Sequence, residues 1–298
     1  MPEKAQNFAR ALRLPFITAS ILPFIFGSLI DRSNFNLLHF FLGLLCVAAT
    51  HLSANLINDY ADSKSGADWQ DRKFYVFFGG SKLIQEKLFS EEFYLKTAIF
   101  FAVIAFFCAL LLSIFLKSLL LISLFTGIFI LSWLYSKKPL QFSYHRLGEL
   151  IIFLLFGPVT VMGGYFIQTG IFPDFKSLLL SLPFGFLTTA ILFSNEVPDY
   201  EVDRKAGKFT WVKISGPKKA FLLYAALIFF AFFFIALNIT LGYLKPLALA
   251  SFIFVFPALR ACRILKNFTD QKLRLIESSK LTIAVQTFAA IVLILGVF

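Results

Sequence analysis

Charge is what this chain has least of. Only 15% of its residues are Asp, Glu, Lys or Arg, against about 25% in an average soluble domain, while 58% are hydrophobic. That shortage excludes a water-bathed globule and a disordered segment alike, and it makes lipid the expected solvent. Acids are scarcer still, 17 against 28 basic residues. Cysteine is nearly missing: Cys46, Cys108 and Cys262 all lie in apolar runs without CxxC spacing. A disulfide framework and a thiolate metal site are thereby excluded, and three small buried hydrophobes remain. His39, His51 and His145 show no ligand spacing and are assigned no chemistry. There is no low-complexity linker and no soluble second domain, so 1–298 is read as a single transmembrane domain.

What is present is a series of apolar runs of about twenty residues, each long enough to cross a hydrocarbon core. Nine are read, at 12–30, 37–57, 93–116, 118–135, 148–169, 177–195, 220–241, 246–265 and 280–298. The break between the third and fourth rests on Lys117, and that between the seventh and eighth on Gly242 and Lys245-Pro246. Lys4, Arg10 and Arg13 ahead of the first run have the outline of a signal peptide. Pro15, Pro23 and the lack of a small-x-small cleavage site make it a retained span instead. The expected fold is all-α: a polytopic membrane protein of nine transmembrane helices around a central cavity.

A net charge of +11 points to nucleic acid in a soluble protein. Here the basic residues fall in loops beside spans, which points to membrane orientation and to no nucleic-acid partner. All of the 28 except Arg32, Lys117, Lys176 and Lys245 lie in or near the N-terminus and the connections after spans two, four, six and eight, Arg13, Lys96, Arg260, Arg263 and Lys280 falling within the neighbouring span ends. The bias predicts a cytoplasmic N-terminus and an external C-terminus, an outcome that requires an odd number of spans.

The acids are gathered rather than scattered. Eight of the 17 lie in two stretches, Asn55 to Asp71 and Asn195 to Asp203, which are the connections after spans two and six and hence on one side. If the helices continue, Asp59 and Asp62 share a face, as do Asn195, Asp199 and Asp203 at intervals of four. Helix capping accounts for one or two acids at an end, not for spaced sets on matching sides. Like charges that close need a cation, and oxygen ligands in that number suit Mg²⁺, which binds through one or two carboxylates plus substrate phosphates. Two acidic rims gripping a diphosphate through metal is the resulting expectation. Asp71, Glu196 and Glu201 fall off the helical stripes and are read as ordinary surface acids. The matching motifs four spans apart hint at an internal duplication.

Around the acids stand further candidates. Asn55, Asn58 and Asn195 are amides at span ends, costly to bury unpaired; they either cap and bond neighbouring backbone or hold metal and diphosphate. Lys64, Arg204, Lys205 and Lys208 lie beside the motifs, and Tyr135 with Lys138 ends span four on the same side. Such donors neutralise a departing diphosphate, although orientation alone also places basic residues here. Arg13 either pairs with an acceptor's carboxylate or snorkels to headgroups. Gly79-Gly80-Ser81 either brings amides close to an anion or forms a plain turn. Some of the 41 Phe residues are expected to line the cavity, shielding a carbocation and excluding water.

These pieces together resemble the UbiA superfamily of intramembrane aromatic prenyltransferases. Asn58, Asp59 and Asp62 match its N-D-x-x-D pattern, and Asp199 and Asp203 match D-x-x-x-D, followed by Ala206-Gly207-Lys208 and Thr210. Within it the chain is similar to the 1,4-dihydroxy-2-naphthoate polyprenyltransferase type. The shared features are the last acid of the first motif at Asp68, the Gly-Gly-Ser loop, Tyr135-Ser136 with Pro139, Leu147-Gly148-Glu149 and Phe156-Gly157. It departs at Asn195-Glu196-Val197-Pro198-Asp199, where that type has N-N-x-R-D, and at Lys82, where it has a fourth loop glycine. The resemblance implies Mg²⁺ held by Asp59, Asp62, Asp68, Asp199 and Asp203. It implies substrate contacts from Asn55, Asn58, Lys64, Tyr135, Lys138, Asn195, Lys208 and Arg13. The catalytic set is Asp59, Asp62, Asp199 and Asp203, acting on a polyprenyl diphosphate and an aromatic acceptor, with no obligate protein partner. Acceptors such as 4-hydroxybenzoate or homogentisate stay open. A transporter should carry its acids near the bilayer midplane, whereas these sit at span ends. A CDP-alcohol phosphotransferase needs D-G-x-x-A-R, and no Asp here precedes Gly.

Overall fold

The computed structural model describes residues 3–298, and among them no strand occurs. Helix α1 (Glu3–Ala11) meets α2 (Thr18–Leu29) at a bend of 46°. Then follow α3 (Leu37–Ser65), α4 (Glu91–Phe115), α5 (Leu119–Leu134), α6 (Gly148–Leu154) and α7 (Thr160–Thr169). The second half holds α8 (Phe175–Lys205), α9 (Trp211–Ser215), α10 (Ala220–Thr240), α11 (Val255–Asn267) and α12 (Lys272–Gly296).

Among the described residues seven helical stretches are long and apolar enough to cross a membrane, or eight if α1 and α2 form one span. The expected span that falls short is the fourth, α5, whose 16 residues reach about 24 Å, less than a hydrocarbon core of about 30 Å. The nine apolar runs are thus helical throughout, but the count of nine crossings is not met by length.

Helix ends depart from the hydropathy reading where it matters most. Spans expected to stop at 57 and 195 run on to Ser65 and Lys205, and the last begins at Lys272 rather than 280. Hydropathy marks where lipid ends, whereas a helix ends where a cap ends it. In α3 the Asn36 side chain accepts from the His39 amide at 3.1 Å, and Gly66 closes the far end at φ 84°, a left-handed position favouring glycine. In α8 the Asp174 carboxylate accepts from the Ser177 amide at 2.6 Å. Asp59 and Asp62 on α3, and Asp199 and Asp203 on α8, therefore stand on helix that continues beyond the apolar zone, while Asp68 follows Gly66 in a 3-10 turn.

Lipid is as apolar as leucine, so close fit rather than hydrophobicity must hold these helices together. A Cβ on Gly27 would stand 2.1 Å from the Val161 carbonyl oxygen, and one on Gly164 2.6 Å from that of Phe24, so α2 and α7 touch backbone to backbone. Between α6 and α7 lies a π-helical turn, Leu155–Val159, that contains Pro158; such turns often mark functional sites. Its Gly157 abuts Gly185 of α8. Phe184, Phe193, Tyr224 and Leu265 fill the core between α8, α10, α11 and α12. Phe100, Phe107, Phe229 and Phe256 stay exposed, as lipid-facing side chains should.

Candidate active site

The ends of α3 and α8 open onto one cavity of about 530 Å³. Its wall is mostly apolar, with Phe24, Leu124, Phe125, Phe156 and Phe166 among the lining residues, and its polar rim includes Asp62, Asp68, Asp199 and Asp203. Both acid motifs therefore stand at the same mouth.

Two features tie the motifs together. Lys208 lies 3.1 Å from Asp62 and 3.4 Å from Asp203, one ammonium bridging the first motif to the second. Tyr144 donates to Asp62 at 3.3 Å on the other side. Burial alone would lower the Lys208 pKa, but Asp62 and Asp203 outweigh it and hold the ammonium charged well above its ordinary range. The Gly79-Gly80-Ser81 loop forms the second tie. Its Gly79 amide donates to Asp199 at 2.9 Å and its Ser81 amide to Asp59 at 3.2 Å. Gly79 and Gly80 have φ of 76° and 82°, so glycine supplies the turn that aims both amides.

Three acids of the first stretch each have a cation of their own. Arg13 pairs with Asp59, which is 2% exposed and sits behind the lining residues. Lys82, itself 2% exposed, holds Asp68 at 2.8 Å. Burial and the nearby Asp62 push the Asp68 carboxyl up to about 6 even so. At the rim Lys272 meets Asp71 at 2.7 Å. Burial works against that carboxylate, but Lys272 keeps it below its usual range.

The expected substrate residues divide. Arg13, Asn55, Asn58, Tyr135, Asn195 and Lys208 all line the cavity. Asn55 donates to the Leu12 carbonyl at 3.3 Å, and Asn58 to the Ser136 hydroxyl. The Asn195 Oδ1 is buried without a partner. Lys64 and Lys138 are not brought to the cavity. Lys64 turns outward to Glu91 at 2.6 Å, and Lys138 is exposed on the loop after α5.

Two acids read as surface groups are not. Glu196 is 7% exposed and lines the cavity, and Asp71 lies at its mouth. The residues 196, 199 and 203 in fact share a helical face at spacings of three and four, a pattern that the interval-of-four reading passed over. Glu201 does lie at the surface, paired with Arg204. Lys82, Tyr144, Glu149 and Lys272 went unassigned. Lys82, next to the Gly-Gly-Ser loop, and Glu149, next to Gly148, carry a sequence signal as neighbours of those motifs; Tyr144 and Lys272 carry none.

Among the described residues no three acids, histidines or cysteines converge to hold an ion alone. The donor set still fits Mg²⁺, which takes one or two carboxylates and completes its shell with water and phosphate oxygens. Two half-sites facing one cavity, with the Asn195 oxygen unpaired between them, offer that number of oxygen ligands.

A model of the UbiA prenyltransferase family matches residues 20–278. The Drosophila melanogaster UbiA prenyltransferase domain-containing protein 1 homolog is 32% identical over 253 residues, covering 82% of this chain and 68% of that protein. A Bacillus subtilis protein named 1,4-dihydroxy-2-naphthoate octaprenyltransferase is 29% identical over 289 residues, covering 94% and 88%. The chain spans about two thirds of the length of the animal relatives it matches, 65% for the Xenopus tropicalis protein. The solved UbiA homolog from Archaeoglobus fulgidus bound to GPP and Mg2+ superposes with a TM-score of 0.60 at 16% identity, over 96% of this chain and 99% of that one. Family match, relatives and fold agree: the chain belongs to the UbiA prenyltransferase family.

Proposed function

We propose that this protein transfers a polyprenyl group from its diphosphate to a hydroxylated aromatic acid, 1,4-dihydroxy-2-naphthoate being the favoured acceptor, and that the whole chain acts as one unit. The observation that carries the reading is the meeting of both acid motifs at one cavity mouth, ringed by Arg13, Lys208 and Lys272, above an apolar chamber. The naphthoate acceptor draws on the Bacillus relative, which matches most of both chains.

Asp62, Asp68, Asp199 and Asp203, with Asp59 behind them, would hold Mg²⁺, which supplies Lewis-acid stabilisation of the departing diphosphate. Arg13 and Lys208 are placed to take up diphosphate charge once their carboxylate partners turn to metal. The apolar wall receives the prenyl tail, excludes water, and offers Phe156 and Phe125 faces toward an allylic cation. The Lys and Arg bias supports placing this mouth, and the N-terminus, on the cytoplasmic side.

Purified protein with Mg²⁺ and radiolabelled geranyl diphosphate is expected to prenylate 1,4-dihydroxy-2-naphthoate. Asp59→Ala and Asp199→Ala should each lower transfer by about 10³-fold. Undiminished transfer in both variants would refute the site, and transfer to 4-hydroxybenzoate in preference would reassign the acceptor.

A further inference from the structure

Of the polar atoms buried without a partner, several line this one cavity: His51 Nε2, Ser143 Oγ, Thr188 Oγ1, Asn195 Oδ1 and Glu196 Oε2. A buried polar atom left unpaired costs about 1–3 kcal/mol, so a cluster of them facing a cavity marks where a polar ligand group belongs. Glu196 stands apart because it is a carboxyl. It projects from α8 one turn before Asp199, is 7% exposed, and leaves Oε2 without any donor.

Glu196 is also braced. On α6, which packs against α8, Glu149 is 1% exposed and accepts the Trp211 backbone amide. Ser143 and Tyr135 close the same corner: a Cβ on Gly148 would stand 3.2 Å from the Tyr135 hydroxyl and 3.2 Å from the Ser143 Cα. Glu196, Tyr135 and Ser143 all line the cavity, so its wall one turn from Asp199 carries an unpaired carboxyl oxygen together with two hydroxyls. The cations Arg13, Lys82, Lys208 and Lys272 are already engaged with the motif carboxylates.

We propose that Glu196 is the acceptor-specificity residue, its carboxyl receiving a hydrogen bond from a ring hydroxyl of the aromatic acceptor. Glu149 acts as a positioning residue that fixes the Glu196 side chain. The substrate class follows: a phenol or naphthol whose hydroxyl donates here, with any carboxylate directed away from Glu196. A ligand that cannot donate leaves the buried oxygen unpaired, and sites of this kind reject such analogues strongly. The inference deepens the prenyl-transfer reading and rests on it for the identity of the ligand.

Calorimetric binding to the full chain in detergent separates the two. The probes are 1,4-dihydroxy-2-naphthoate, its 1,4-dimethoxy analogue, and geranyl diphosphate with Mg²⁺. Wild type should bind the dihydroxy acid and reject the dimethoxy analogue. Glu196→Ala should weaken dihydroxy binding by at least threefold, with about tenfold expected, erase the discrimination, and leave geranyl diphosphate affinity unchanged. Glu196→Gln, isosteric and still able to accept, guards against misfolding and should retain partial discrimination. Binding of the dihydroxy acid within threefold of wild type in both variants overturns the proposal. Equal binding of the two aromatics by wild type, or no binding of this acid, 4-hydroxybenzoate or homogentisate, also overturns it. Discrimination lost in Glu196→Ala in a protein that transfers no prenyl group supports the hydroxyl contact and strikes only the reaction.

Discussion

The end of α3 and the end of α8 carry similar motifs and treat them differently. Asp59, Asp62 and Asp68 are each at most 8% exposed, closed in by Arg13, Lys208, Tyr144 and Lys82. Asp199 and Asp203 are half-buried, held only by the Gly79 amide and by Lys208. The first motif is wrapped by the loop that follows it; the second faces the cavity with fewer partners. The two halves of the site are therefore unequal, one a clamped set of charges and the other an open one, and Lys208 is the side chain they share.

Removing that shared side chain is the most direct way to break the comparison. Lys208→Met leaves Asp62 and Asp203 facing each other uncompensated, and unpairing a buried ion costs about 3–5 kcal/mol. Metal-free Lys208→Met should melt well below wild type, Mg²⁺ should restore much of the loss, and transfer should fall about 10²-fold. Equal melting temperatures without metal would show the two halves to be independent.

A smaller effect sharpens the description of the clamped half. Asp68 is pushed up to about 6, above the ordinary 3.8, so the folded protein binds its proton more readily than the unfolded chain. This group's contribution to metal-free stability then falls as pH rises through the window from about 4 to 6. Asp68→Asn should flatten that slope relative to wild type in melting curves taken from pH 4 to 7. An identical slope in the variant would remove Asp68 from the buried set.

The smallest change is expected at Lys64, which belongs to the first motif in sequence but not in space. Its ammonium faces Glu91 in solvent, and such surface pairs contribute little. Lys64→Ala should leave transfer rates within about twofold of wild type. A loss as large as that of Lys208→Met would return it to the site.

Lys64 and Lys208 also show what the sequence made legible. Both are basic residues within a turn or two of a motif Asp, and orientation in the membrane predicts basic residues at both places. Only the motif match at Ala206-Gly207-Lys208 separates them in sequence; the contact that makes Lys208 a bridge is with Asp62, 146 residues away. The helical fold was readable, since a bilayer forces every apolar run into a helix. The motif acids were readable too, since their spacing repeats with the helix. Glu196 escapes a stripe drawn through Asn195, Asp199 and Asp203, which says nothing about which face α6 covers, and Asp71 is drawn to the site by Lys272, 201 residues away. The loop amides were harder still: Gly79 reaches Asp199 across 120 residues, a contact fixed by packing alone.

Because α3 and α8 run unbroken from the apolar zone to their acid tips, the spacing between the two half-sites follows the tilt of two long rods. Tilt responds to hydrocarbon thickness, at fractions of a kcal/mol per Å of mismatch. The Lys208 bridge and the Gly79-Gly80-Ser81 loop, which reach from one rod's tip to the other, are what hold that spacing against a change in tilt.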